Sequence, residues 1–404
     1  MLRNHAIVCL SSIDWDFLWQ GHQQIMSALA EQGNRVLFVE TTGVRPPVVR
    51  DLPRMWRRLR GGGLGNGSQL PRPENVQVYS PLVLPLPYSG IAQAINRSIM
   101  KRAILRLTSA WGAKRPIVWN FLPTPLSRSL VRSLNPLLSI FHCVDHLAAS
   151  TPAAGQLAHT EAQCLAEADL VFVTSQALFE RARLVNSNVH LVPSGVDLPR
   201  FELSRNGGLT RPHEMQSLPR PIVGYLGGVH QWVDQELVEV VAMRRPEWSF
   251  VLVGPLQVDA SRLTNLPNVY AVGPRAPAEV PHYLDAFDVA IVPYRMAEYT
   301  RHVYPAKLNE YLAMGLGVVS TPLAEIKRFN ERYGDIVRIG ADAESFELAI
   351  AAALADVDQL QVDRRLDVAR SNSWESRIEE MSSLINASLE RLRHSGSCVA
   401  SQAN

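Results

Sequence analysis

A chain of 404 residues, 47% hydrophobic and 19% charged, has the make-up of a folded globular protein and is long enough for two ordinary domains. Its formal net charge of +2 is not that of a strong phosphate-backbone binder, and its basic stretches lack regularly interleaved aromatics, so nucleic acid is not an expected partner. The four cysteines, Cys9, Cys143, Cys164 and Cys398, show no CxxC and no paired spacing; neither a disulfide framework nor a zinc site is indicated, and a reduced, cytoplasmic setting is expected.

In chain order, apolar β-branched runs alternate with helix-period stretches, the pattern of parallel sheets wound by helices. The first run, from Ala6 to Leu10, is far shorter than a signal-peptide core or the ~20 residues that span a bilayer. The pattern predicts a strand over 5–10, a helix over 21–32 capped by Gly33, and strands over 35–39, 76–79, 117–120, 138–143, 170–174 and 189–192. Between Val44 and Arg60 lie six Arg and one Asp, with Met55 and Trp56 among them; between Ile95 and Pro116 lie six Lys or Arg and no acid. Such stretches suit an anionic membrane surface, each basic residue contributing on the order of 1 kcal/mol, or else are solvated faces.

The polar stretch 201–220 has no periodicity and reads as an interdomain linker. A second alternating series follows: strand 221–226, helix 234–244, strands 249–253 and 268–271, helix 277–287 and strand 289–292. The chain then reads RHVYPAKLNEYLAMGLGVVST from Arg301 to Thr321. Pro305 suits the first turn of a helix and Gly315 its end, which predicts a helix over 305–314. Leu308, Tyr311 and Leu312 form its buried stripe, while Lys307 and Glu310 share another face near its start. A cation beside free N–H groups favours a phosphate, and a carboxylate accepts two hydroxyls well; the alternative is an i,i+3 ion pair on an ordinary helix. After Val337 the chain reads as mostly helical, ending in a helix over 374–393 behind a Ser-Asn-Ser start signal.

The PxKxxEYLAxGxxVVST pattern resembles the GT-B glycosyltransferases, in particular the retaining branch whose hallmark is two Glu separated by seven residues. The segments 168–175 (ADLVFVTS) and 192–197 (VPSGVD) look like those that close the first domain in that family, and 269–294 like its base-binding wall. The resemblance implies two Rossmann-like, doubly wound α/β domains facing across a cleft. It places an acceptor-side domain at 1–204, a linker at 205–220, a nucleotide-sugar domain at 221–371, a helix returning onto the first domain at 372–394 and a disordered tail at 395–404. It implies transfer of a sugar, of the hexosyl type and with retention, from a nucleoside diphosphate sugar to an acceptor hydroxyl in cell-surface polysaccharide or glycolipid synthesis. The acceptor would be carbohydrate or lipid-linked, no metal or other cofactor is expected, and the enzyme would work in the cytoplasm or peripherally on the inner membrane face. A nucleotide-sugar epimerase on the same fold and a catalytically silent scaffold stay open as alternatives.

Carried over by position, Glu310 holds the nucleotide ribose, with Pro305, Ala306, Lys307 and Leu308 along the donor side. The family's first Glu, against the donor sugar, is here His302. Gly227 and Gly228 end the first strand of the second domain, where glycines let a backbone approach a diphosphate. The family follows them with an Arg and a Lys; this chain has His230-Gln-Trp-Val-Asp234, so the positive charge is expected from Lys307, with Arg295, Arg301 and protonated His302 behind it. His230 either faces the donor or covers the sheet edge. Asp14-Trp15-Asp16 is a DxD, but it lies in the first loop of the acceptor-side domain, and no other cluster has ligand spacing, so a metal site is rejected. Asp14 and Asp16 are read as acceptor-hydroxyl ligands, or Asp16 as a general base, against the alternative of a turn cap before Gly21 and His22, which face the same site. Asp145 and His146, at the carboxyl edge after the strand through His142, are the remaining catalytic candidates, and His142 is expected as a satisfied core residue.

Overall fold

The computed structural model describes residues 1–16, 19–40, 70, 72–84, 86, 89–150, 155, 157–206, 208, 210–356 and 358–401. The basic stretch expected between Val44 and Arg60 lies outside the described residues. Two compact units emerge, the first comprising Met1–Pro193 and Arg377–Asn404, the second Ser194–Ser376.

The first unit is built on strands β1 (Ala6–Leu10), β2 (Arg35–Val39), β3 (Val76–Tyr79), β4 (Ile117–Asn120), β5 (Leu138–Cys143), β6 (Leu170–Val173) and β7 (Val189–Leu191). All neighbours pair in parallel, in the order β3-β2-β1-β4-β5-β6-β7. Runs such as Ile117–Asn120 and Leu170–Val173 are buried at every position, which is why they read as continuous apolar runs. The order reverses between β1 and β4, and such a reversal opens a ligand crevice at the carboxyl ends of the two strands.

The second unit repeats the plan with β8 (Ile222–Leu226), β9 (Ser249–Val253), β10 (Val269–Gly273), β11 (Val289–Val292), β12 (Gly317–Ser320) and β13 (Val337–Ile339), ordered β10-β9-β8-β11-β12-β13. Its switch point falls between β8 and β11, whose short register covers Val289–Val223 and Ala290–Gly224. The expected helix 305–314 is Lys307–Ala313, with Ala306 at its N-cap and Gly315 in the left-handed region at φ +74.

The chain passes between units at 193–194 and 376–377 rather than within 205–220. The polar stretch belongs to the second unit. It carries the helices Leu198–Asn206 and His213–Gln216, Met215 is fully buried, and Tyr283 Oη and Arg275 Nη2 each donate to Glu214 Oε1 at 2.6 Å. Its order comes from partners more than sixty residues away, which no local periodicity records. The final helix, Trp374–Ser401, lies in the first unit from Arg377, where Asn188 Nδ2 donates to Ser388 Oγ and Arg391 to Asn188 Oδ1. Most of the tail expected at 395–404 continues this helix, and 402–404 fall outside the described residues.

Gly224, midway along β8, has the Phe287 ring where a Cβ would stand. Overpacking of this kind costs ~1–3 kcal/mol, and in a unit of this size each kcal/mol lowers the melting temperature by roughly 2–4 °C. Gly224→Ala is expected to melt several degrees below wild type, whereas Gly90→Ala, in open space, is expected to melt with it; equal melting of the two variants would contradict the packing described.

Candidate active site

In the second unit β8 runs into Gly227 and Gly228. Gly227 adopts φ +127 while its N–H bonds to Val253 O at 2.8 Å, a conformation suited to glycine. A Cβ on Gly254, after β9, would run into the Gly227 carbonyl, so the two loops meet backbone to backbone. The space over Gly227 is taken by Lys307, whose Nζ would lie 3.1 Å from a Cβ there.

Lys307 Nζ donates to Tyr294 Oη at 2.6 Å and Tyr225 Oη at 3.1 Å, and sits 4.6 Å and 4.3 Å from the two ring centroids. Burial works against the ammonium, but the two tyrosines outweigh it and hold Lys307 above its ordinary pKa, so it stays charged. Tyr225 comes from β8 and Tyr294 follows β11; the cation stands at the switch point because these two strands are neighbours. Tyr311, fully buried on the same helix as Lys307, locks this arrangement: its Oη accepts the Leu226 N–H at 2.8 Å.

No ion pair joins Lys307 to Glu310; the ammonium is bound to phenols instead. The Glu310 carboxylate accepts no hydrogen bond from any described residue. Burial pushes its pKa up to about 7, with Lys307 and Arg200 pulling it down and Asp197 pushing it up. The helix start gives less than expected: Leu308 and Asn309 direct their N–H groups to the carbonyls of Pro305 and Ala306, at 2.9 and 3.3 Å, and Leu308 is a core residue.

The other expected cations do not gather here. His230 accepts the Trp232 N–H on Nδ1 at 3.1 Å, which puts its proton on Nε2, and burial followed by the Lys307 charge lowers its pKa to about 4. It is therefore neutral near pH 7. Arg301 pairs with Glu298 at 3.3 Å; His302 is buried and donates from Nδ1 to the Glu298 carbonyl at 2.9 Å. Arg295 anchors two loops through its backbone N–H to Trp232 O, and its side chain is exposed. Tyr225, Tyr294 and Gly254 were not singled out from the sequence; the available signal was a polar-tipped aromatic at the end of β8 and just after β11.

In the first unit the loop after β1 is fixed from inside. Trp15 is fully buried with its ring 4.9 Å from that of Phe38, and its backbone N–H donates to Glu40 Oε1 at 3.0 Å. Asp14 is partly exposed and its carbonyl accepts from Gln23; Asp16 is exposed and accepts the Leu70 N–H at 3.3 Å. Among the described residues no group of three His, Cys, Asp or Glu converges. Gly21 opens the helix Gly21–Glu31, and His22 behind it lies 3.0 Å from Ser12 Oγ with its ring 4.0 Å from that of Phe121. His142 follows at 4.9 Å from Phe121, with Trp119 and Phe172 around it. Burial lowers both histidines to about 3, so they are neutral. His142 is buried as expected but not satisfied: neither ring nitrogen has a hydrogen-bond partner among the described residues. Asp145 and His146 follow β5, with β4 between them and the loop of Asp14 and Asp16; His146 Nε2 stands 3.8 Å from the fully buried Glu161, which also pairs with Arg181.

Glu310 carries a stability signature. Its folded pKa of about 7 lies above the ordinary 4.5, so between those values the native state holds a proton that the unfolded chain has released, and stability falls as pH rises through the window. The melting difference between wild type and Glu310→Gln should therefore move against wild type from pH 5 to pH 7.5, and a pH-independent difference would show that the carboxyl is not raised.

Residues 220–356 match the family described as glycosyl transferases group 1. TuaH of Bacillus subtilis (strain 168), named for a glycosyltransferase of teichuronic acid biosynthesis, is 32% identical over 191 residues, 46% of this chain and 48% of TuaH. The chain thus aligns with about half the length of this curated relative. Among solved structures, sucrose-phosphate synthase from Thermosynechococcus elongatus superposes with a TM-score of 0.69 at 17% identity, covering 95% of this chain and 99% of that one. HepE of Anabaena in complex with UDP and glucose gives 0.64 at 13% identity, covering 95% and 100%, and WaaG, a glycosyltransferase of lipopolysaccharide biosynthesis, 0.61 at 13%, covering 94% and 99%. The chain has the GT-B fold, and its match to the glycosyl transferases group 1 family lies within 220–356.

Proposed function

We propose that this chain is a glycosyltransferase that moves a sugar from a nucleoside diphosphate sugar to an acceptor hydroxyl, in the assembly of cell-surface polysaccharide or glycolipid. The observation that carries the reading is the pair on one helix at the switch point of the second unit: Lys307 charged and held by two phenols, Glu310 with no hydrogen bond from any described residue. An ammonium fixed beside a glycine loop stabilises the charge that grows on a departing diphosphate, without reorganising to do so. A carboxylate with free lone pairs is suited to two ribose hydroxyls. The countercharge is assigned to Lys307 and no divalent ion is invoked. The hexosyl donor and retention of configuration rest on the family resemblance, and His302 is the position where the sugar contact departs from it. Asp14, Asp16, Asp145 and His146, after β1 and β5, are assigned to the acceptor side.

HepE has been solved with UDP and with UDP-glucose, which makes UDP-sugars the first donors to try. A thermal-shift panel of UDP-, GDP-, ADP- and CMP-sugars identifies the base, and transfer to an added acceptor separates this activity from an epimerase or a silent scaffold. Lys307→Ala is expected to lower turnover by roughly 10²- to 10³-fold in protein that is still folded at the assay temperature, with wild-type turnover insensitive to EDTA. Near-normal turnover in the variant would remove the assignment.

The same reading places the acceptor at an anionic membrane surface on the cytoplasmic side. No helix of the described residues is long and apolar enough to cross a membrane. The helix Gly90–Ser109 presents Ile91, at 77% exposure, with Ile95 and Ile99 at one-turn spacing, and the exposed Arg102 and Arg106 continue that face. Buried Asn96 pins Leu84 alongside through its N–H and carbonyl, at 2.8 and 3.1 Å, with Leu82 and Leu86 exposed beside it. Flotation with phosphatidylglycerol vesicles should carry the protein and phosphatidylcholine vesicles should not; Ile91→Asp with Ile95→Asp should abolish the difference. Equal flotation of wild type and variant would exclude this face.

A further inference from the structure

A departing nucleoside diphosphate brings more negative charge than a single ammonium balances, and the glycine loop of the second unit holds one cation, Lys307. The neighbouring donors show how the remainder is met. Of the three ammonium N–H groups, two go to Tyr225 and Tyr294, which leaves one. The Tyr225 hydroxyl hydrogen is already used, donated to Gly228 O at 2.9 Å. The Tyr294 hydroxyl accepts from Lys307, but its own hydrogen finds no acceptor among the described residues, although the side chain is only 7% exposed. His230, its ring 5.5 Å from that of Tyr294, has Nδ1 engaged by the Trp232 N–H, so Nε2 carries a hydrogen, and that too meets no acceptor among the described residues. Two neutral donors without acceptors thus stand beside one fixed cation, at the edge where Gly227 and Gly228 bring the backbone close.

Resting on the donor-site reading above, we infer that Tyr294 Oη–H and His230 Nε2–H bind the donor's diphosphate together with Lys307, and that Tyr225 is a positioning residue that holds the ammonium. Of these groups only His230 falls in the segment after the glycine pair, where the resembling enzymes carry an Arg and a Lys. Hydrogen bonds from neutral donors to a charged oxygen are strong in a partly desolvated site and add no positive charge that would need a counterion when the site is empty. The roles differ: loss of the Tyr294 hydroxyl removes a donor and one of the two acceptors that hold the ammonium, loss of the Tyr225 hydroxyl only loosens the cation, and loss of His230 removes a donor that an amide can replace.

Calorimetric titration with UDP and UMP, or the GDP or ADP pair should the panel select another base, reads the contribution of the terminal phosphate as an affinity ratio. Tyr294→Phe is expected to weaken UDP binding by roughly 10-fold or more while UMP affinity stays within about twofold. His230→Leu should act likewise and His230→Gln should restore the ratio, because glutamine keeps a neutral donor. The wild-type ratio should be flat from pH 6 to pH 8, since His230, lowered to about 4, stays neutral there, Lys307 stays charged, and Glu310 acts on both nucleotides alike. A ratio unchanged in Tyr294→Phe, or a fall of UDP and UMP affinity by the same factor, overturns the inference and leaves the donor site standing. Failure of wild type to bind any nucleoside diphosphate takes down the donor-site reading itself.

Discussion

The second unit is organised around an ammonium bound by phenols rather than by a carboxylate. Burying Lys307 is unfavourable unless its N–H groups are bonded and its charge is stabilised, and two tyrosines do both, through their oxygens and through their ring faces. Had a carboxylate been the partner, the pair would be neutral and of little use to an incoming anion. Phenols keep the cation in place and leave its charge unbalanced. The neighbouring backbone follows from this. Gly227 lacks a side chain because Nζ stands over it, Gly254 because the Gly227 carbonyl presses against it, and Tyr311 ties the lysine-bearing helix to the end of β8.

The first unit answers the same sheet topology with different chemistry. Its switch point, between β1 and β4, is lined by His22, Phe121, Trp119 and His142 packed ring against ring, and burial keeps both histidines uncharged. The cluster is closed to solvent, its four rings all being buried. The nitrogens of His142, without a partner among the described residues, are a destabilising feature of that cluster, since a buried polar group without a hydrogen bond costs roughly 1–3 kcal/mol. The two switch points thus differ, a fixed charge in one unit and a buried, neutral polar-aromatic cluster in the other.

Much of this was legible in the sequence where the physics is local. Strands β2, β4, β5, β9 and β11 fall at the residues their apolar runs predict, because a parallel strand buried on both faces leaves an uninterrupted signature. Lys307 and Glu310 were legible as a pair on one helix. Their relation was not: whether they bond to each other depends on Tyr225 and Tyr294, 82 and 13 residues from Lys307, and no spacing rule reaches that far. The stretch 205–220 misled for the same reason, since its order comes from Tyr283 and Arg275. His230 and His302 were candidates for cations until burial and a backbone donor made one neutral and a carbonyl bond made the other a helix cap.

These departures from the family pattern are not independent. The resembling enzymes set an Arg and a Lys against a Glu on the sugar side, so one of their two extra cations is offset by the extra anion. This chain has neither the Arg-Lys pair nor that Glu. With Lys307 as the cation at the glycine loop, a carboxylate at position 302 would lower the positive potential that an incoming diphosphate meets, through a medium that screens poorly. His302 carries no negative charge, and its Nδ1 hydrogen is turned onto the Glu298 carbonyl. Glu298 itself is exposed and paired with Arg301, so its charge is screened by water and by its partner. On the donor-site reading proposed above, the absence of a carboxylate at position 302 and of the Arg-Lys pair after the glycines fit together as a single electrostatic change.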